Sequence, residues 1–266
     1  MLLQPNVILD RMNETKPKTI YALFKVTEYV DSFRSGTLYM NTLKHFRDLK
    51  NKEGEKIGDP LEGLSFVGQP HLVRVQVGDH VVDAAELAGP VLASHDHVMD
   101  FKAFCMYAIN SGDFDHVSKE NFERFTEYLK IQVDRLGLGA GGKAVLITNT
   151  EEFLARVHSA CKREGLARLQ GLMHYFDLSD FHGPIKFPGF YKTKEYDAQR
   201  EWRFVVKVPD GGPHKIEDNG AYKLEIGSIE DISVITTVEE INAKMKYELP
   251  EDGVSMIEAP ESQSVE

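Results

Sequence analysis

Apolar positions recur along this chain in two rhythms, every second residue or every third and fourth, and the changes of rhythm mark its elements. Ile20 to Val26, rich in β-branched and aromatic residues, reads as a strand. Glu28 to Ser35 carries apolar residues at Tyr29, Val30 and Phe33 and reads as a short helix stopped by Gly36. Thr37-Leu-Tyr-Met-Asn41 is a second short strand and Thr42 to Leu49 another helical turn. A polar loop, Asn51-Lys-Glu-Gly-Glu-Lys, then delivers Gly58-Asp-Pro-Leu-Glu62. Val73-Arg-Val-Gln-Val77 and His80-Val-Val alternate around Gly78-Asp79, which predicts a hairpin with a two-residue turn. Phe101 to Ile109 reads as a buried strand.

Ser118 to Leu136 gives the clearest helix, with Phe122, Phe125, Leu129 and Val133 at helical spacing. Gly137-Leu-Gly-Ala-Gly-Gly142 separates it from a strand at Lys143 to Thr148, and Thr150-Glu-Glu opens a second long helix through Cys161. No strand precedes that glycine run and no Gly-Lys-Ser/Thr closes it, so it reads as a connector rather than a phosphate loop. Trp202 to Val208 is a strand ended by Pro209-Asp-Gly-Gly-Pro213, and Ile232 to Thr237 is another that leads into a helix at Val238 to Lys246. From Leu249 onward Pro, Glu, Asp, Ser and Gln dominate, and disorder is expected. The order is irregular, without a fixed repeat or a βαβ alternation. The expectation is therefore one α+β domain over residues 1–248, with mixed or antiparallel sheets and flanking helices, and an acidic tail at 249–266.

Composition narrows the classes. A hydrophobic share of 42% with 27% charged residues in 266 is that of a folding chain. No run nears the roughly 18 apolar residues of a membrane span, and the first residues lack the pattern of a signal peptide, so a cytoplasmic protein without membrane contact is expected. Cys105 and Cys161 have no metal-type ligand at short spacing and read as buried, reduced thiols. A net charge of −11 opposes broad, non-specific binding of nucleic acid. Locally the balance reverses: Lys186 to Lys207 holds six Lys or Arg against three acids, a net +3. A solvated strand edge bearing lysines is the plain alternative.

Gln199-Arg-Glu201 precedes a strand, where residues two apart share a face, so an amide and a carboxylate can converge. Such a carboxylate can polarise a sugar hydroxyl or stabilise an oxocarbenium-like centre while the amide orients the attacking group. The competing reading pairs Glu201 with Arg203 or a lysine as a solvated charge. Asp59 and Glu62 flank Pro60 and read as turn caps in preference to metal ligands. His95-Asp-His97 lacks a third ligand and reads as an exposed loop, while His174 and His182 are lone histidines.

Ser35 to Phe46, Gly58-Asp-Pro-Leu-Glu-Gly63 and Tyr191 to Phe204 resemble the landmarks of an uncharacterised bacterial and phage family, domain of unknown function 2971. The resemblance covers about residues 20 to 208. The family usually has Asn at the place of Gly58 and an acid at the place of Gln199. The second departure brings the segment closer to the Gln-x-Glu signature of ADP-ribosyltransferases, whose Glu contacts the nicotinamide-side ribose of NAD. That likeness implies an ADP-ribosyltransferase-like fold that uses NAD as substrate without a metal, with Glu201 as key acid and Gln199 orienting the acceptor. Tyr21 and Lys25 on the first strand, Tyr39 and Asn41 on the second and Arg47 on the following helix are then expected to meet the nucleotide. The reaction is ADP-ribose transfer to an unidentified macromolecular acceptor, or NAD hydrolysis. The reading from another class is a non-catalytic regulator, acting in phage and host conflict, that binds a nucleotide or a protein partner.

Overall fold

The computed structural model describes residues 18–50, 58–132, 142–209, 211 and 213–245. The polar loop at 51–57, most of the glycine-rich segment and the acidic tail at 249–266 lie outside the described residues. The protein is mixed α+β, and its sheets are mostly antiparallel. Among the described residues the contacts gather into two compact units: those up to Ser35, within Met106–Leu154 and from Ser228 onward form one, and those within Gly36–Cys105 and Ala155–Gly227 the other.

In the first unit the strand Ile20–Val26 lies between Lys143–Ile147 and the later residues of Lys102–Asn110, antiparallel to both. Ser233–Thr237 pairs antiparallel with the free side of Lys143–Ile147. Alternation along Ile20–Val26 sends Phe24 into a buried cluster with Tyr107, Ile109, Phe125, Leu129, Val238 and Ile241. Two helices, Phe122–Leu129 and Val238–Lys244, supply the last four of these. The first is shorter than Ser118–Leu136 because Lys130 is already extended, with ψ of 133°. Asn242 accounts for the early stop: its Oδ1 accepts from Ile131 N and its Nδ2 donates to Ile131 O, both at 2.9 Å. A side-chain amide thus takes the place of the next helical turn.

The second unit is built around Glu201–Lys207, every residue of which is buried except Lys207. It pairs antiparallel with Ala167–Leu172, setting Arg203 opposite Gly171. Thr37–Thr42 pairs with Tyr222–Glu225 and, through Asn41 and Ala103, with the start of Lys102–Asn110. A three-stranded sheet of Leu64–Gly68, Val91–Ser94 and Gly183–Pro184 packs Leu64, Val67 and Ile185 into a second apolar cluster. The parallel pair His174–Phe176 with Tyr191–Thr193 completes this part. The expected hairpin is present as Val75–Val77 and His80–Val82 with Val77 opposite His80 and Gly78 at φ 61°, a left-handed value suited to glycine.

Candidate functional site

Strand alternation sends Glu201 and Arg203 to one side and Trp202 and Phe204 to the other, where the two rings stack at 6.3 Å. The apolar side fills the interior, so the charged side must be satisfied by protein. Arg203 is fully buried; its Nε donates to Glu201 Oε1 at 2.5 Å, its two terminal nitrogens grip Glu62 at 2.6 and 3.0 Å, and Nη1 also donates to Gly189 O at 2.8 Å. Gly171 stands opposite Arg203 in the strand pair, and the Phe46 ring lies 5.7 Å from the guanidinium. Lys192, on Tyr191–Thr193, donates to Glu201 Oε2 at 2.7 Å and to Gln199 Oε1 at 2.8 Å. The Cys105 thiol also hydrogen-bonds Glu201. Glu201 N donates to the Tyr175 hydroxyl at 2.9 Å.

Two carboxylates and two cations therefore share a buried set with balanced charge. Burial works against the Glu201 carboxylate, but Arg203 and Lys192 outweigh it and hold its pKa far below the usual range. Burial likewise opposes the Lys192 ammonium, yet Glu201 keeps that group charged, with its pKa raised. The Arg203 guanidinium is raised too, its two carboxylates overcoming burial.

Asp59 sits nearby in the opposite state. Burial pushes its pKa up to about 6, with Glu62 adding to the effect while the Leu61 N–H, Lys192 and Arg203 oppose it. Its Oδ1 accepts from Leu61 N at 2.8 Å, closing the turn, but Oδ2 has no hydrogen-bond partner among the described residues. A buried acceptor left so forfeits about 1–3 kcal/mol.

Gln199 and Glu201 do converge, on the Lys192 ammonium, but not through an extended backbone. Gln199 ends a 3₁₀ segment, Lys194–Gln199, and Arg200 turns the chain with φ 38° and ψ 48°. That left-handed step, unusual for a non-glycine residue, lets the amide and the carboxylate meet. Glu201 is bonded to Arg203, as one reading supposed, but the pair is buried and not solvated. Glu62 is a bidentate partner of Arg203 and not a turn cap, whereas Asp59 does cap. Among the described residues no group of three or more His, Cys, Asp or Glu is arranged to hold a metal.

The other predicted residues are more scattered. Tyr39 is exposed; its hydroxyl accepts from Asn219 at 2.8 Å and the Lys223 ammonium lies over its ring at 5.9 Å. Asn41 is half-buried opposite Ala103. Arg47 pairs with neighbouring Asp48 at 3.0 Å, so Phe46, unforeseen, is the residue of that helix seen against the ionic set. Tyr21 and Lys25 lie on Ile20–Val26, in the first unit, where the Tyr21 ring meets Phe125 edge-on. Lys192, counted only within the basic stretch 186–207, is the lysine that meets Glu201, and Tyr175 was missed. His95 and His97 are exposed and stack on each other at 5.4 Å, His174 stacks on Tyr191, and His182 Nδ1 accepts from Gln69 N. Cys161 is buried, its thiol pushed up to about 11 by burial.

Comparison with protein-family models, with curated proteins and with solved structures gives no match. Among the described residues no helix is long and apolar enough to cross a membrane.

Proposed function

We propose that the chain is an NAD-using enzyme of the ADP-ribosyltransferase type, transferring ADP-ribose to an acceptor or hydrolysing NAD, and that its sheet-rich α+β architecture is of that kind. The observation that carries the reading is the meeting of Gln199 and Glu201 on Lys192, with Glu201 held as a carboxylate. Nicotinamide departs through a ribose that gains positive charge at C1′, and a fixed anion in a water-poor setting favours that charge. Tyr39, exposed and flanked by a lysine, offers an aromatic face to a base. The likeness to the bacterial and phage family belongs to the same proposal.

A second reading is favoured by one specific observation: both Glu201 oxygens are already bonded to cations, and the residue is only 6% exposed. On that reading the ionic set braces a non-catalytic module that binds a nucleotide or a protein. Nicotinamide release from NAD, with protein, DNA and RNA acceptors supplied in turn, separates the two. Release by wild type that falls at least about 100-fold in Glu201→Asp, which keeps the charge and shifts it by one methylene, supports the enzyme. Binding of NAD without release supports the module. No heat in calorimetry with NAD, ADP-ribose or ATP, and no release, refutes both nucleotide readings.

A further inference from the structure

Asp59 and Glu201 are two carboxylates under the influence of the same two cations, Lys192 and Arg203, yet they are engaged differently. Glu201 spends both oxygens on those cations. Asp59 is 4% exposed, spends Oδ1 on the Leu61 N–H and keeps Oδ2 without a hydrogen-bond partner among the described residues. The charged or titratable groups that face it are Glu62 on its own turn, Lys192 on Tyr191–Thr193, Arg203 on Glu201–Lys207 and the Tyr196 hydroxyl of the 3₁₀ segment. Gly58 fixes the approach of this turn: a Cβ there would lie 2.3 Å from Phe46 O and 2.6 Å from Arg47 O. An acceptor atom held in place this way, and given no donor by the fold, is suited to take one from a ligand.

Resting on the NAD-using reading above, we infer that Asp59 is the proton acceptor for the attacking group. Water or an acceptor hydroxyl gives its proton to Asp59 Oδ2 as its oxygen bonds to C1′ of the ribose. The C1′–N bond breaks, and its electron pair leaves with neutral nicotinamide. Asp59 then passes the proton to solvent. Glu201 is a poor choice for this task, because a carboxylate bound by two cations has little appetite for a proton. The raised pKa of Asp59 leaves it ionised at neutral pH while keeping it a stronger base than an ordinary aspartate.

The test compares wild type, Asp59→Asn and Asp59→Ala in nicotinamide release across pH, with NAD binding followed by calorimetry. Expected are a wild-type rate that rises with pH to a plateau above a midpoint of about 6, and a kcat lowered at least ~100-fold in Asp59→Asn with the rising limb lost. NAD binding should stay within about threefold, and added formate should restore Asp59→Ala at least about tenfold. Equal profiles in wild type and Asp59→Asn overturn the inference and leave the NAD reading intact. Loss of NAD binding in Asp59→Asn also overturns it, making Asp59 an anchor. Wild type that binds NAD but never releases nicotinamide overturns it in favour of the binding module, and wild type that does neither overturns both.

Discussion

Glu201→Gln takes one negative charge from a buried set in which Glu62 and Glu201 face Lys192 and Arg203. Arg203 keeps its bidentate bond to Glu62, but Lys192 is left with the neutral Gln199 oxygen, and the new amide must turn an N–H toward one of two cations. Removing one partner of a buried ion pair costs about 3–5 kcal/mol, because the other charge stays desolvated. For a chain of this size each kcal/mol is worth roughly 2–4 °C, so the melting temperature should drop on the order of 10 °C. A solvated pair would cost only about 0–1 kcal/mol.

Acid provides an independent check. The folded pKa of Glu201 lies well below its ordinary value of 4.5, so its stabilising contribution is complete above that pH and is lost as pH falls below it. Thermal melts of wild type and Glu201→Gln should therefore differ most at neutral pH and converge as the solution is acidified below about 4.5. A drop under about 2 °C at neutral pH, or a gap that persists unchanged in acid, refutes the buried network as a source of stability.

Gly58→Ala should destabilise by about 1–3 kcal/mol, since the added methyl would meet the backbone oxygens of Phe46 and Arg47 and backbone yields poorly; an unchanged urea midpoint counts against so close an approach. Asp59→Asn should do the reverse. The folded carboxyl holds its proton more tightly than the unfolded one, so wild type loses stability as pH rises from 3.8 to about 6, and the asparagine variant, with no proton to lose, gains on it over that window. The gain could reach about 2–3 kcal/mol, and a wild-type-to-variant gap that ignores pH disproves the assignment.

Strands with a single rhythm were legible. Ile20–Val26, Lys143–Ile147 and Ser233–Thr237 lie within a residue of their sequence readings because β-branched runs between polar segments have few other uses. Tyr222–Glu225 was equally legible, alternating Tyr, Lys, Leu and Glu between Gly220 and Gly227, and was passed over. Ala167–Leu172 was not: with an arginine, a glutamine and a glycine it shows no clear period, since its pairing with a wholly buried strand decides its conformation. The helix ending at Leu129 depended on Asn242, more than a hundred residues on, and no local signal carries that. At the site, the convergence of Gln199 with Glu201, and an ion pair from Glu201 to Arg203 or a lysine, could be read from spacing. The second carboxylate could not, because Glu62 lies 141 positions from Arg203 and nothing in a solitary Asp-Pro-Leu-Glu turn announces an ion pair.

The arrangement of the two carboxylates links stability to the proposed chemistry. Glu201 is ionised because cations surround it, and its charge is committed to buried ion pairs with Lys192 and Arg203; a group so committed gives stability and little reactivity. Asp59 is the less comfortable group, since shedding its proton near pH 6 leaves a buried anion with one unsatisfied oxygen. The ionisation that costs the fold free energy is the one a proton acceptor needs. On the proposed reading, then, Asp59 costs the fold stability as pH rises from 3.8 to about 6 while turnover rises around a midpoint of about 6, and both responses vanish together in Asp59→Asn. A structural aspartate would show the first without the second. A stability loss that levels off where turnover reaches half its plateau is the signature that ties the destabilised group to the reaction.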